Sequence, residues 1–95
     1  MRRAAKVDDN QKDIVRTLRG AGASVQSLAA HGQGVPDLLV GFRGVNYLLE
    51  VKDGAKVPSM RLMTVDESMW HQSWQGQCAV VLTPADALRV IGAVE

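Results

Sequence analysis

The sequence predicts an α/β domain in which a mixed sheet is flanked by helices. Three observations predict it. Apolar residues recur at helical spacing near the start of the chain. Two short apolar runs, at residues 38–40 and 47–51, flank an Arg43-Gly44 pair that reads as a hairpin tip. Beyond them a helix, a buried-type strand and a last helix alternate, so the order is helix, three strands, helix, strand, helix.

The elements follow in order. Residues 1–8 are polar and basic and predict a flexible arm, and residues 9–95 a single domain with a modest core. Gln11, Ile14, Val15 and Leu18 fall at i, i+3, i+4, i+7 and predict a helix over 9–20, stopped by Gly20 and Gly22. Residues 24–29 predict a short strand, and His31-Gly32-Gln33-Gly34 a loop. The central strands are apolar on both faces, which predicts a sheet covered on both sides. Residues 54–63 combine glycine, proline, serine and basic residues and predict a mobile loop. Thr64-Val65-Asp66-Glu67 is a capping-box pattern that starts a helix. That helix carries Met69, Trp70 and Trp74, the two indoles assigned to the core rather than to base-stacking platforms, and ends at Gly76. Residues 77–82 predict a buried strand. Thr83 as N-cap and Pro84 at the first helical position open the last helix, with Ala87, Leu88 and Ile91 on its apolar side.

An apolar share of 46% and a charged share of 22% are those of an ordinary globular protein. No apolar run is long enough to span a bilayer, so no membrane partner is expected. Met1-Arg2-Arg3 is basic but no apolar stretch follows, and the lone Cys78 suits a reducing compartment. The expected location is the cytoplasm. Net charge is only +1, yet the basic residues cluster: Arg2, Arg3, Lys6, Lys12, Arg16 and Arg19 early, then Lys52, Lys56 and Arg61. The clusters read either as a solvated surface or as a footprint for nucleic acid. No phosphate loop, nucleotide fingerprint or nucleophile motif supports a small metabolic enzyme.

The hairpin carries the chemistry. A two-residue turn at Arg43-Gly44 pairs Phe42 with Val45, and counting outward sets Asp37 opposite Glu50. Opposed residues share a face with Cβ atoms about 5 Å apart. Two carboxylates so placed repel, and a hard divalent cation between them, Mg²⁺ or Mn²⁺, resolves the conflict. Lys52 projects from the same face, two residues beyond Glu50. A metal held by Asp37 and Glu50, with the backbone carbonyl of Val51 as a further ligand, suits phosphodiester hydrolysis, with Lys52 orienting water or stabilising charge. A three-residue loop would instead turn Asp37 to the other face. The plain alternative is a turn-ending Asp and a surface Glu-Lys ion pair.

Gly34-Val35-Pro36-Asp37-Leu38-Leu39-Val40-Gly41, followed by Leu48-Leu49-Glu50-Val51-Lys52, resembles the PD-(D/E)XK nuclease superfamily. Within it the chain is most similar to the VRR-NUC group, related to Holliday junction resolvases. The resemblance runs from about Asp9 to Ile91. It includes Asn10-Gln11 and Ile14-Val15 in the first helix, the 13-residue separation of Asp37 from Glu50, and the helix around Trp70. It implies a restriction-endonuclease-like αβββαβ core followed by a C-terminal helix, and a Mg²⁺- or Mn²⁺-dependent DNA endonuclease. The DNA would be branched or flapped, in phage-type replication, recombination or repair, within the host cytoplasm if the chain is phage-encoded. It makes Asp37, Glu50 and Lys52 catalytic.

Two positions depart from that pattern. Gln11 stands where such sites often carry a first-helix acid; it either orients a metal-coordinating water or is a plain helix-edge residue. Glu67 stands where a glutamine is usual, and it is also the capping-box partner of Thr64. His31, Lys56, Arg61 and His71 are candidate DNA contacts. The small size, together with the resemblance, implies a homodimer. The alternative function is a non-cutting nucleic-acid-binding or scaffolding module of the same fold, which the low net charge and Gln11 would suit.

Overall fold

The structure is a computed structural model that describes residues 8–93. The basic residues Arg2, Arg3 and Lys6 of the arm lie outside the described residues. The elements are α1 (Gln11–Gly20), β1 (Ser24–Ser27), β2 (Leu38–Phe42), β3 (Val45–Val51), α2 (Val65–Ser73), β4 (Ala79–Val81) and α3 (Pro84–Val90). They form one four-stranded mixed sheet in the order β1-β2-β3-β4. β1 with β2 and β2 with β3 are antiparallel, and β3 with β4 is parallel. A parallel pair needs a crossover, and α2 lies within it. The element order and the mixed sheet are those the sequence predicts.

One face of the sheet is closed by helices. Leu38, Val40 and Phe42 of β2 alternate inward with Leu49 and Val51 of β3. Ile14 and Leu18 of α1, with Ala87 and Ile91 at α3, complete this core. The α1 stripe read from the sequence is the stripe that is buried, with Gln11 at its first position. The hairpin turns on two residues, Arg43 (φ 51°) and Gly44 (φ 80°). Positive φ at both central positions gives the mirror-image turn that matches strand twist.

The structure corrects several boundaries and one larger expectation. β1 ends at Ser27, and a 3-10 turn at Ala29–His31 takes up the residues beyond it. Residues 54–63 contain a second 3-10 turn, Pro58–Arg61, with Pro58 at its start. β4 spans only Ala79–Val81, because its partner β3 ends at Val51. The larger correction concerns the second face of the sheet, which is not closed. Leu39 is half-buried between buried neighbours on β2, and α2 has no buried residue. A nine-residue helix covers only the end of the face nearest Glu50 and Lys52. Trp70 and Trp74 are therefore not core residues. Trp70 is half-buried, Trp74 is exposed, and the two stack on each other at 4.7 Å between ring centroids. Among the described residues no helix is long and apolar enough to cross a membrane.

Candidate active site

Backbone pairing sets the site. Leu38 pairs with Leu49, and the same register carried one step outward puts Asp37 opposite Glu50. β2 starts only at Leu38, so Val51 N–H lacks a ladder partner there. The Asp37 carboxylate supplies one: its Oδ2 accepts from Val51 N–H at 2.7 Å. On the other side Leu28 N–H donates to the Asp37 backbone carbonyl at 2.8 Å. In a strand the N–H and C=O of one residue point the same way, so the Val51 carbonyl also faces the Asp37 side. Gly34 brings α2 down onto this end of the sheet. Its φ is +81°, and a Cβ there would lie 2.2 Å from the Asp66 carbonyl oxygen. Only a glycine lets the loop before Asp37 rest on the first turn of α2.

Four side chains then converge. Glu50 is 1% exposed, and its Oε1 is buried without a hydrogen-bond partner. Its Oε2 lies 3.7 Å from Lys52 Nζ. Lys52 Nζ donates to Glu67 Oε1 at 2.7 Å. That same oxygen accepts Thr64 N–H at 2.8 Å, while the Thr64 hydroxyl accepts Glu67 N–H, which completes the capping box. His71, one turn on, places Nε2 3.9 Å from Glu50 Oε1 and 3.7 Å from Cys78 Sγ. The start of α1 is tied to the same corner. Asn10 Nδ2 donates to the carbonyls of Lys52 (3.2 Å) and Leu82 (2.9 Å), and Lys56 pairs with Asp9 at 3.4 Å.

The charges respond to this crowding. Burial, and then the Asp37 charge, hold Glu50 well above the usual carboxylate range. Burial likewise raises Asp37, against the hydrogen bond from Val51. For Lys52, burial acts to lower the pKa, but the Glu67 hydrogen bond and the charges of Glu67 and Glu50 outweigh it and raise it. Burial acts upward on Glu67, but the contacts with Lys52 and Thr64 lower it. His71 is lowered, chiefly by burial. At neutral pH Lys52 is therefore a cation, and without a metal the Asp37–Glu50 pair retains a proton.

No family model and no curated protein matches the chain. It is similar to a solved structure described as a VRR_NUC domain, with 27% identity and a TM-score of 0.62. The match covers 86% of this chain and 89% of that one. This likeness supports the resemblance to the VRR-NUC family read from the sequence. The mixed sheet and three helices are compatible with the restriction-endonuclease-like fold of that family, so the fold is of nuclease type.

Asp37, Glu50 and Lys52 come together at one end of the sheet, and His71 joins them from α2. Gln11 is buried at the start of α1, and its Oε1 has no hydrogen-bond partner. Lys56 stands beside Asp9 at the same corner. His31 and Arg61 form no hydrogen bond or ion pair with this cluster; His31 is exposed at the end of its 3-10 turn, and Arg61 ends the turn before α2. Sequence reasoning missed the ion pair of Glu67 with Lys52, the place of Cys78 behind His71, and Asp8. The Asp8 carboxyl feels Lys52, Lys56 and Glu67, and its own pKa is raised by burial. The signal for Asp8 was present, since it lies one helical turn before Gln11. Among the described residues no three His, Cys, Asp or Glu side chains form a ready metal cluster. A cation here would rest on two carboxylates, the Val51 carbonyl and water.

Proposed function

We propose that the chain is a divalent-cation-dependent nuclease that hydrolyses DNA phosphodiester bonds at Asp37, Glu50 and Lys52. The observation that carries this reading is the burial of two opposed acids, one with an oxygen that has no partner. A buried polar atom without a partner costs about 1–3 kcal/mol, a cost that a cation bound at Glu50 Oε1 would offset. The donor set suits the proposed ion. Mg²⁺ and Mn²⁺ prefer hard oxygens, and Mg²⁺ usually takes one or two carboxylates and keeps several waters. Asp37, Glu50 and the Val51 carbonyl would hold it.

When bound, the cation supplies Lewis-acid polarisation of a phosphoryl oxygen and makes water more acidic. The chain's own groups do the rest. Lys52, kept charged by Glu67, donates toward negative charge that grows on the phosphoryl group. Being a cation, it orients the attacking water rather than deprotonating it. Gln11 Oε1, buried without a partner, would accept a hydrogen bond from a metal-coordinating water if the site extends to the start of α1. Lys56, with His31 and Arg61 further out, would meet backbone phosphates, and His71 flanks Glu50. The same reading takes flapped or branched DNA as substrate, in phage-type replication, recombination or repair in a host cytoplasm, with two copies of the chain acting as a homodimer.

The test is incubation of the purified chain with linear, flapped and branched DNA in Mg²⁺, Mn²⁺ or EDTA, with light scattering on the same preparation for its mass. We expect cation-dependent cleavage, lost in Asp37→Ala and in Glu50→Ala, with DNA binding retained or tighter because repulsion of phosphate falls. Comparable turnover by either variant would overturn the site. DNA binding without any cleavage would favour a scaffold of the same fold.

A further inference from the structure

The sheet face that carries Asp37 and Glu50 continues past them as an open, uncharged trough. Leu39 and Leu48, themselves cross-strand partners, are the next residues of that face. They lie two positions from the acids, about 7 Å along the strands. With Asn46 and Tyr47 they line a cavity of about 390 Å³, closed on its other side by Trp74, Gly76 and Gln77. Trp74 is 47% exposed while one side of its indole stacks on Trp70. The shape of this wall depends on Gly76, where a Cβ would lie 2.8 Å from Trp74 Nε1. No charged side chain lines the trough, although the neighbouring site is strongly charged. Amides of Asn46 and Gln77 border it, and Gln77 Nε2 donates to the Asn46 carbonyl at 3.3 Å.

We propose that this trough binds one unpaired nucleobase of the DNA strand whose phosphate lies at Asp37, Glu50 and Lys52. The inference rests on the nuclease reading and names its substrate more closely: a strand with a base free of its duplex partner. A base is flat, uncharged and bordered by hydrogen-bonding edges, which matches an indole wall, a leucine floor and two amides. The cavity is in the size class of small-ligand pockets. A second copy of the chain would instead need a contact area of about 1,000 Å² or more, and this trough is a narrow feature. Continuity with the acids on the same face puts it within reach of a base attached at or next to the phosphate being cut. Duplex bases are buried in their stack, so the trough selects flaps, ends and frayed junctions. Base stacking on aromatic side chains is tolerant of sequence, so no strong sequence preference follows.

The test measures binding of a flapped duplex by anisotropy in EDTA, where no cleavage occurs, while an abasic nucleotide is moved along the flap. Wild type should lose affinity about tenfold when the abasic position meets the trough. Trp74→Ala should show that loss on the intact flap and little more at the abasic position. Trp74→Phe, which keeps a stacking ring, should recover most of the affinity. Equal binding by Trp74→Ala and wild type, or no position-specific abasic effect, would overturn the proposal. So would conversion of a dimer to a monomer by Trp74→Ala, since a second copy would then cover the trough. These readings are separate from cleavage by wild type in Mn²⁺, so a failed nuclease reading and a failed trough give different results.

Discussion

Glu50 and Asp37 meet on one sheet face with too little water to keep both ionised. Burial raises both pKa values, and the Glu50 shift is the larger because the Asp37 charge adds to burial there, whereas the hydrogen bonds from Val51 and Glu50 hold Asp37 down. The consequence for stability has a definite sign. A carboxyl whose folded pKa exceeds its unfolded value of about 4.5 keeps its proton in the fold after the unfolded chain has lost it. Its contribution to stability is complete below that unfolded value and is lost as pH rises toward the folded pKa. Glu67 acts the other way, because its pKa is lowered and its contribution is lost in acid. Between roughly pH 5 and 8 the buried acids lower stability as pH rises, and they outweigh His71, whose lowered pKa acts the other way up to its ordinary value. Thermal unfolding in EDTA should therefore show Tm falling as pH rises over that range, and Glu50→Gln should flatten the fall. Added Mn²⁺ should also flatten it, since the ionised pair then has a partner. An unchanged slope in Glu50→Gln would show that this acid is not the titrating group.

The first turn of α2 serves both the helix and the site, since one oxygen of Glu67 accepts from Thr64 N–H and from Lys52 Nζ. Thr64→Ala removes the hydroxyl that accepts Glu67 N–H. Loss of such a cap costs about 1 kcal/mol, or roughly 4–8 °C in Tm for a domain of this size. Scanning calorimetry checks that figure, and cleavage should weaken as Glu67 loses its hold on Lys52. An unaltered Tm would mean that the cap does not support α2. What was legible in the sequence was local in origin. The α1 stripe, the Arg43-Gly44 turn, the capping box at Thr64 and the N-cap at Thr83 are each written in a few adjacent residues. The turn alone fixed the register that sets Asp37 opposite Glu50. What was not legible depends on how α2 docks. The shared Glu67 oxygen, His71 and Cys78 behind Glu50, and the Asn10 brace all join residues far apart in the chain. Trp70 and Trp74 were assigned to the core because large apolar side chains usually are. The short α2 leaves them stacked on an open face instead.

The topology divides the work of the molecule between two faces. α1 and α3 close one face around an apolar core that fixes the strands. The parallel β3–β4 crossover carries α2 over one end of the other face, where it holds Lys52 and borders Glu50. The rest of that face stays open, where the proposed nuclease would seat a strand of DNA. With a net charge of only +1, the molecule has little overall field, so the proposed affinity for DNA would depend on what this face offers locally. Asp37 and Glu50 are buried at the end of this face that α2 covers, and Glu50 Oε1 has no hydrogen-bond partner. Calorimetric titration of metal-free protein with Mn²⁺ asks most directly whether this pair binds a cation. The account predicts one saturable site per chain, abolished by Asp37→Ala and by Glu50→Ala in protein that remains folded. Absence of saturable binding to wild type, or binding of equal strength to both variants, would contradict it.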